Sequence, residues 1–261
     1  MNRRSFLATT GSIGVLMLGN LRLARAAAST GPRLYLELQK YTFEKEEQRQ
    51  GFETFMKEAA IPAMNRLGLK PIGVFHDSKE PGPAWVLIPH PDAESAVSLT
   101  ARLLADAEFT AKAGAFIEGP KAAAPYKEME TCLLRAFKGM PGIEIPAKGP
   151  DRVFELRIYE SPSVVTGQKK IEMFNDAGEI RIFREVGLAP VFFGETLFGT
   201  KAPNLTYMLG FENAEAMKAA WGRFGKHPDW IKLRAMPEYA DSRVIRAITN
   251  IVLKPAASSQ I

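Results

Sequence analysis

The sequence predicts an α+β fold in which two ferredoxin-like βαββαβ repeats pair their antiparallel sheets into a barrel within one chain. Three observations lead there. The chain beyond residue 33 is written twice. Short segments with strand periodicity alternate with longer segments of helical periodicity. Glycine or a short polar residue stands where the helical segments should begin and end. The 261 residues, 46% hydrophobic and 24% charged, suffice for one large core or two small ones.

The doubling is visible residue by residue. Phe52-Glu53-Thr54-Phe55 through Gly68-Leu69-Lys70-Pro71 corresponds to Ile171-Glu172-Met173-Phe174 through Gly187-Leu188-Ala189-Pro190 at an offset of 119. Asp92-Ala93-Glu94 corresponds to Asn213-Ala214-Glu215, and Phe109 to Trp230, at 121. Leu134-Arg135-Ala136 is matched with Ile245-Arg246-Ala247 at 111, a fall that the Ala/Gly/Pro-rich stretch Ala111–Pro125 would explain. Internal repetition of this order predicts two copies of one supersecondary unit. The first spans residues 33–137 and the second 152–254, with a tail at 255–261. Lys138–Asp151, with three glycines and three prolines, is the linker.

Each element follows from local pattern. The first strand of repeat one puts Tyr35, Glu37, Gln39 and Tyr41 on one face and Leu36 and Leu38 on the other. Its first helix carries Phe52, Phe55, Ala59, Ala63, Met64 and Leu67 as an apolar stripe. In repeat two, Val153–Tyr159 alternates as a strand, with Phe154, Leu156 and Ile158 opposite Glu155, Arg157 and Tyr159. Ile171, Phe174, Ile182, Phe183 and Val186 mark one helix, closed by Gly187. Val191–Leu197 and Leu205–Phe211 are strands around a turn, Asn213 caps the second helix, and Val244–Leu253 completes the sheet.

The aliphatic side of each first strand is expected to meet the helices. That assignment turns Glu37, Gln39 and Tyr41, and Glu155, Arg157 and Tyr159, toward the interior shared by the two sheets. There they either pair across the interface or line a polar ligand cavity. Arg157, near Glu37 or Tyr41, is the leading candidate for gripping an anionic ligand, because a planar guanidinium suits carboxylate and enolate groups. His76 and Glu195 end equivalent strands and are candidate acid/base groups if they too face inward. The candidate ligand-binding set is therefore Arg157, Glu155, Tyr159, Glu195, His76, Glu37 and Tyr41. No catalytic residue is assigned.

The first 26 residues read as an address rather than as fold. Arg3-Arg4 followed by Phe6-Leu7, a short apolar stretch, and Ala24-Arg25-Ala26 as a small-x-small cleavage site resemble a twin-arginine export signal. The apolar stretch is shorter than the roughly 20 residues a membrane-spanning helix needs. The expected course is passage through the twin-arginine translocase to the periplasm, with no membrane span once the signal is removed. Arg3, Arg4, Arg22 and Arg25 also account for most of the net charge of +5; without them 30 basic residues face 29 acidic, a net of +1. A near-neutral mature chain has no field to attract phosphate backbones, so nucleic acid is not an expected partner.

Catalytic motifs are sparse. His76, His90 and His227 have no ligand-pair spacing, and neither HExxH nor CxxC occurs, so no metal is expected. His90, between Pro89 and Pro91, is expected in an exposed loop, and His227 before Pro228 is expected to cap a helix. Cys132, the one cysteine, is expected to be a buried inert thiol. Phe109 and Trp230 are expected to fill core under a helix.

Glu155-Leu156-Arg157-Ile158-Tyr159, the helix closed by Gly187-Leu188, the strand Tyr207–Phe211, Asn213-Ala214-Glu215 and His227-Pro228-Asp229-Trp230 together resemble the NIPSNAP domain over residues 152–254. Residues 33–137 resemble it as a degenerate copy. The resemblance implies membership of the dimeric α/β-barrel superfamily and barrel pairing of the repeats. It supplies no reaction, and the cofactor stays unknown. Two functions remain open. One is binding of a small anionic or aromatic molecule between the sheets, extending to cofactorless monooxygenase or isomerase chemistry. The other is a non-catalytic structural or protein-interaction module, which could also form homo-oligomers through outer surfaces. Haem or flavin absorbance in purified native protein would separate these classes.

Export is the first testable expectation. Replacing Arg3 and Arg4 with lysine should strand the precursor in the cytoplasm, as read by cell fractionation. Undiminished export in a strain lacking the twin-arginine translocase would contradict it.

Overall fold

The computed structural model describes residues 32–79 and 82–261. The twin-arginine motif and the cleavage site lie outside the described residues. Eight strands form one closed antiparallel barrel: β1 (Tyr35–Thr42), β2 (Gly73–Asp77), β3 (Ala84–His90), β4 (Glu128–Ala136), β5 (Val153–Glu160), β6 (Ala189–Phe198), β7 (Asn204–Phe211) and β8 (Ala247–Pro255). Their order around the barrel is β1-β3-β2-β8-β5-β7-β6-β4. The two halves therefore meet at edges. β2 pairs with β8 and β4 pairs with β6, so each half covers the strand edges the other would leave open.

Helices wrap the outside. In the first half, α1 (Glu46–Phe55) runs through a π-helical turn at Met56–Ala60 into α2 (Ile61–Arg66), and α3 (Ala93–Val97), α4 (Leu99–Leu104) and α5 (Ala107–Glu118) follow β3. In the second, α6 (Val164–Asn175) and α7 (Glu179–Glu185) follow β5, and α8 (Ala214–Lys226), α9 (Pro228–Arg234) and α10 (Asp241–Val244) follow β7. Sequence-encoded caps fix their starts. Asp106, Ser163 and Asn213 accept backbone N–H bonds from Phe109, Thr166 and Ala216. His227 does the same for Asp229 ahead of Pro228. Gly187 closes α7 with φ of +80°, a left-handed conformation that side chains with a Cβ avoid.

Packing divides into three layers. Leu36, Leu38, Phe75, Trp85, Leu87, Leu134, Phe154, Leu156, Phe192, Met208 and Leu253 form one cluster inside the barrel, drawn from both halves. Tyr41, Val74, Val86 and Ile88 pack outward against the first half's helices, with Phe109 among them. Tyr159, Phe193, Leu205, Tyr207 and Leu209 pack outward against the second half's helices, where Trp230 joins from the edge. β3 and β7, central in their halves, are buried throughout, whereas β4 and β8 keep exposed positions.

Several expectations are corrected. The single helix expected across 171–186 is two, α6 and α7. Val244 belongs to α10, and the last strand begins at Ala247. The match of Leu134 with Ile245 fails. β4 and β8 are both nine residues long, so Glu128 aligns with Ala247 at an offset of 119, not 111. The expected tail is a plug: Gln260 and Ser259 bond to the backbone of Ile72 and Val74, and Ile261 is buried in the barrel interior.

A core shared by both halves makes unfolding one event. Phe154→Ala, which empties the barrel centre, should cost about 3–5 kcal/mol and lower a single thermal transition. Two separate transitions for the halves would contradict a common interior.

Candidate functional site at the open end of the barrel

The polar strip of the first strands lies on the opposite face from the one expected. Leu36, Leu38, Phe154 and Leu156 face the barrel interior, and the intervening Glu, Gln, Arg and Tyr lie beneath the helices. The cause is closure: the interior of an eight-stranded barrel is filled by side chains, so the aliphatic face was needed inside. The polar residues are satisfied locally instead.

In the second half, Arg157 donates to Glu155 at 2.8 Å and to the Tyr159 hydroxyl at 3.0 Å, and its guanidinium lies 4.4 Å from the Trp221 ring centroid. Trp221 of α8 donates its indole N–H to the second Glu155 oxygen at 2.6 Å. Tyr207 donates to Tyr159 at 3.1 Å. Burial alone would lower the Arg157 guanidinium, but the rings of Tyr207 and Tyr159 and the Glu155 carboxylate offset it and hold it above its ordinary value. Burial raises Tyr207 well above the usual phenol range, so it stays a neutral hydroxyl. Beside this strip, Lys170 and Glu179 form a buried ion pair at 3.2 Å. Burial raises the Glu179 carboxyl despite Lys170.

The first half repeats the arrangement with different groups. Glu37 accepts from Gln39 and is bonded to His90 at 3.1 Å, while the other His90 nitrogen meets Ser95 of α3 at 3.1 Å. His90 is thus fully buried at the end of β3, not exposed in a loop. Tyr41 donates to Gln39 at 3.0 Å. His76 and Glu195 do occupy equivalent strand positions, but both lie on the helix side, His76 paired with Glu53 of α1 and Glu195 with Gln168 of α6. Arg157 is therefore not near Glu37 or Tyr41, and none of the seven candidates lines the barrel interior. They were expected in one cavity; they occupy two separate helix-covered strips.

The interior is instead open at one end. The plug residue Ile261 and the apolar cluster fill the rest of the barrel. At the end where β3, β4, β7 and β8 begin, a cavity of about 290 Å³ remains, lined by Leu38, Trp85, Ile158 and Ile251 on its apolar side. Its polar side includes Thr196, Thr206 and Asn204. Lys40 reaches the same mouth but is held by Glu130 at 2.6 Å and stands 6.0 Å from the Trp85 ring centroid. Lys201, in the β6–β7 turn, donates to Thr249 of β8 at 2.9 Å and sits 3.6 Å from Glu160 of β5. Cys132 is only half-buried and lines this cavity, its sulfur 4.0 Å from the Thr200 hydroxyl. The turn passes so close that a Cβ on Gly199, whose φ is +139°, would collide with Cys132.

Trp85 is the residue that sequence reading missed. It is 7% exposed, yet its indole N–H has no hydrogen-bond partner among the described residues. A signal was present: Trp85 and Thr206 stand at equivalent places of the two repeats, beside Lys40 and Ile158 respectively. A large ring facing a small hydroxyl across a barrel leaves room. Among the described residues, no group of His, Cys, Asp and Glu is arranged to hold a metal ion, and no helix is long and apolar enough to cross a membrane.

The architecture is shared with solved structures. One is a protein from Lactobacillus acidophilus NCFM provisionally described as a monooxygenase, with TM-score 0.58 and 13% identity, covering 85% of this chain and 94% of that one. Another, from Fusobacterium nucleatum and described in the same provisional way, gives TM-score 0.57 and 7% identity over 86% and 93% of the two chains. A third, an anthrone oxidase-like protein, gives TM-score 0.52 and 11% identity over 86% and 92%. At such identities the likeness is one of fold, and it places the chain among the α/β-barrel proteins. Residues 154–260 match the NIPSNAP family model. No curated protein matches the sequence.

The helix-covered strip makes a stability prediction. Arg157→Met should destabilise by about 3 kcal/mol, the low end for breaking a buried pair, because Trp221 still donates to Glu155. Chemical denaturation would measure it. A neutral effect would mean that the guanidinium is not holding the Glu155 carboxylate.

Proposed function

We propose that the protein binds a small aromatic molecule in the mouth of its barrel. One observation carries this: a cavity of about 290 Å³ lies at one end of the interior, with the Trp85 ring, whose N–H has no partner among the described residues, and the Thr196 and Thr206 hydroxyls in its lining. That volume is near the lower limit of small-molecule sites, about 300 Å³. A buried donor without an acceptor costs about 1–3 kcal/mol, which a ligand acceptor would recover. The two halves, with matching strand orders β4-β1-β3-β2 and β8-β5-β7-β6, read as ferredoxin-like repeats of one ancestor unit. Arg3-Arg4 with Phe6-Leu7 supports delivery to the periplasm by the twin-arginine route.

A second reading, cofactorless oxygenation, is favoured by Asp77. Its carboxylate lines the same cavity, and its hydrogen bond among the described residues comes from the Lys79 backbone alone. A carboxylate so placed could take the proton of a bound phenol. The monooxygenase and anthrone oxidase-like descriptions of proteins with this fold agree with that chemistry.

Titration with para-cresol tests the site. It should quench tryptophan fluorescence in the wild type, and Trp85→Phe should abolish the response, since Trp221 and Trp230 belong to α8 and α9, outside the barrel. Quenching that persists in Trp85→Phe would contradict the assignment. Oxygen uptake on adding the phenol, lost in Asp77→Asn, would establish the enzymatic reading.

A further inference from the structure

The mouth is built with a fixed hydrogen-bond polarity, and this deepens the reading of it as a ligand site. Asn204 sets that polarity. Its amide nitrogen donates to the Thr200 carbonyl at 3.1 Å, which fixes the orientation of the amide. Its oxygen therefore accepts, from Thr196 at 2.6 Å and from Thr206 at 3.0 Å. Both hydroxyl hydrogens are committed to this one oxygen. A threonine hydroxyl has one hydrogen to give and two lone pairs to offer, so Thr196 and Thr206 can meet a ligand only as acceptors. All three side chains are at least nine-tenths buried, so water competes poorly for them.

The facing wall adds what that side lacks, a donor, in Trp85 of β3, beside the Asp77 carboxylate of the neighbouring β2. β3 and β7 stand four places apart in the ring of eight, so Trp85 and Thr206 lie across the barrel from each other. The indole N–H can only donate, and it has no acceptor among the described residues. The cations near the rim are engaged: Lys40 with Glu130, and Lys201 with Thr249 and Glu160. An anion entering here would have to displace one of these contacts.

We infer that the site selects a neutral aromatic molecule carrying a hydroxyl donor at one edge and a carbonyl acceptor at the other. The hydroxyl gives its hydrogen to Thr196 or Thr206, the carbonyl accepts from Trp85, and the ring lies among Leu38, Ile158 and Ile251.

Calorimetry on the signal-free chain with three probes tests this. Para-hydroxyacetophenone should bind. Para-methoxyacetophenone, which keeps the carbonyl but has no hydrogen to give, should bind about tenfold more weakly, the worth of one hydrogen bond. Thr206→Val should shrink that preference to about twofold or less. Trp85→Phe should weaken both ketones and leave their ratio unchanged. Para-hydroxybenzoate, which carries a charge, should bind worst. Equal binding of the phenol and its ether, or tightest binding of the benzoate, would overturn the inferred polarity while leaving the mouth as a site. Failure of all three probes would remove the site itself. The wild-type comparison stands without any variant, so a misfolded Thr206→Val protein does not shelter the idea.

Discussion

Edge-to-edge closure of eight strands is the constraint on which the rest depends. β2 takes β8 and β4 takes β6, and no strand of the barrel keeps a free edge. Closure gives every strand an inner face and an outer face, and helices cover much of the outer one. Residues that alternate along a strand must then satisfy two different burials. The inner face receives aliphatic and aromatic side chains from both halves. The outer face receives whatever the helices can solvate, including a carboxylate, a guanidinium and two phenols.

This explains which parts of the fold could be read from sequence. The elements were legible because their signals are local: alternation in β1 and β5, caps at Asp106, Asn213 and His227, and the glycine at 187. The resemblance of the second half was legible because its residues recur in order, and the family model matches the same region. The facing of the strands was not. When both faces are buried, alternation gives two sides but not which is inside. The Glu155-Leu156-Arg157-Ile158-Tyr159 run reads as cavity polarity once its aliphatic side is given to the helices. In fact Glu155, Tyr159 and the Trp221 ring surround it, and Trp221 is 64 residues away in sequence. His90 misled for the same reason, since its partner Glu37 is distant in the chain.

The candidate site was hidden for a related reason. No residue of the mouth belongs to a recognisable motif. Its character comes from a difference between repeats: Trp85 where the second has Thr206, and Lys40 where the second has Ile158. Two identical halves would give a symmetric mouth. Divergence at these positions sets an indole N–H across the barrel from hydroxyls that can only accept, with Asn204 holding those hydroxyls in place. The buried charge strips, by contrast, look functional one residue at a time and are internally satisfied when seen whole.

The central claim is that ligand enters the open barrel end and not the charged strip beneath α8. The chain has three tryptophans, each giving a separate indole N–H resonance. The most direct measurement follows those resonances in a nitrogen-labelled sample during titration with para-hydroxyacetophenone. The account predicts that the Trp85 indole signal moves as its orphaned N–H gains an acceptor, while the Trp221 signal, already bonded to Glu155, stays in place. Movement of Trp221 with Trp85 unchanged would contradict it.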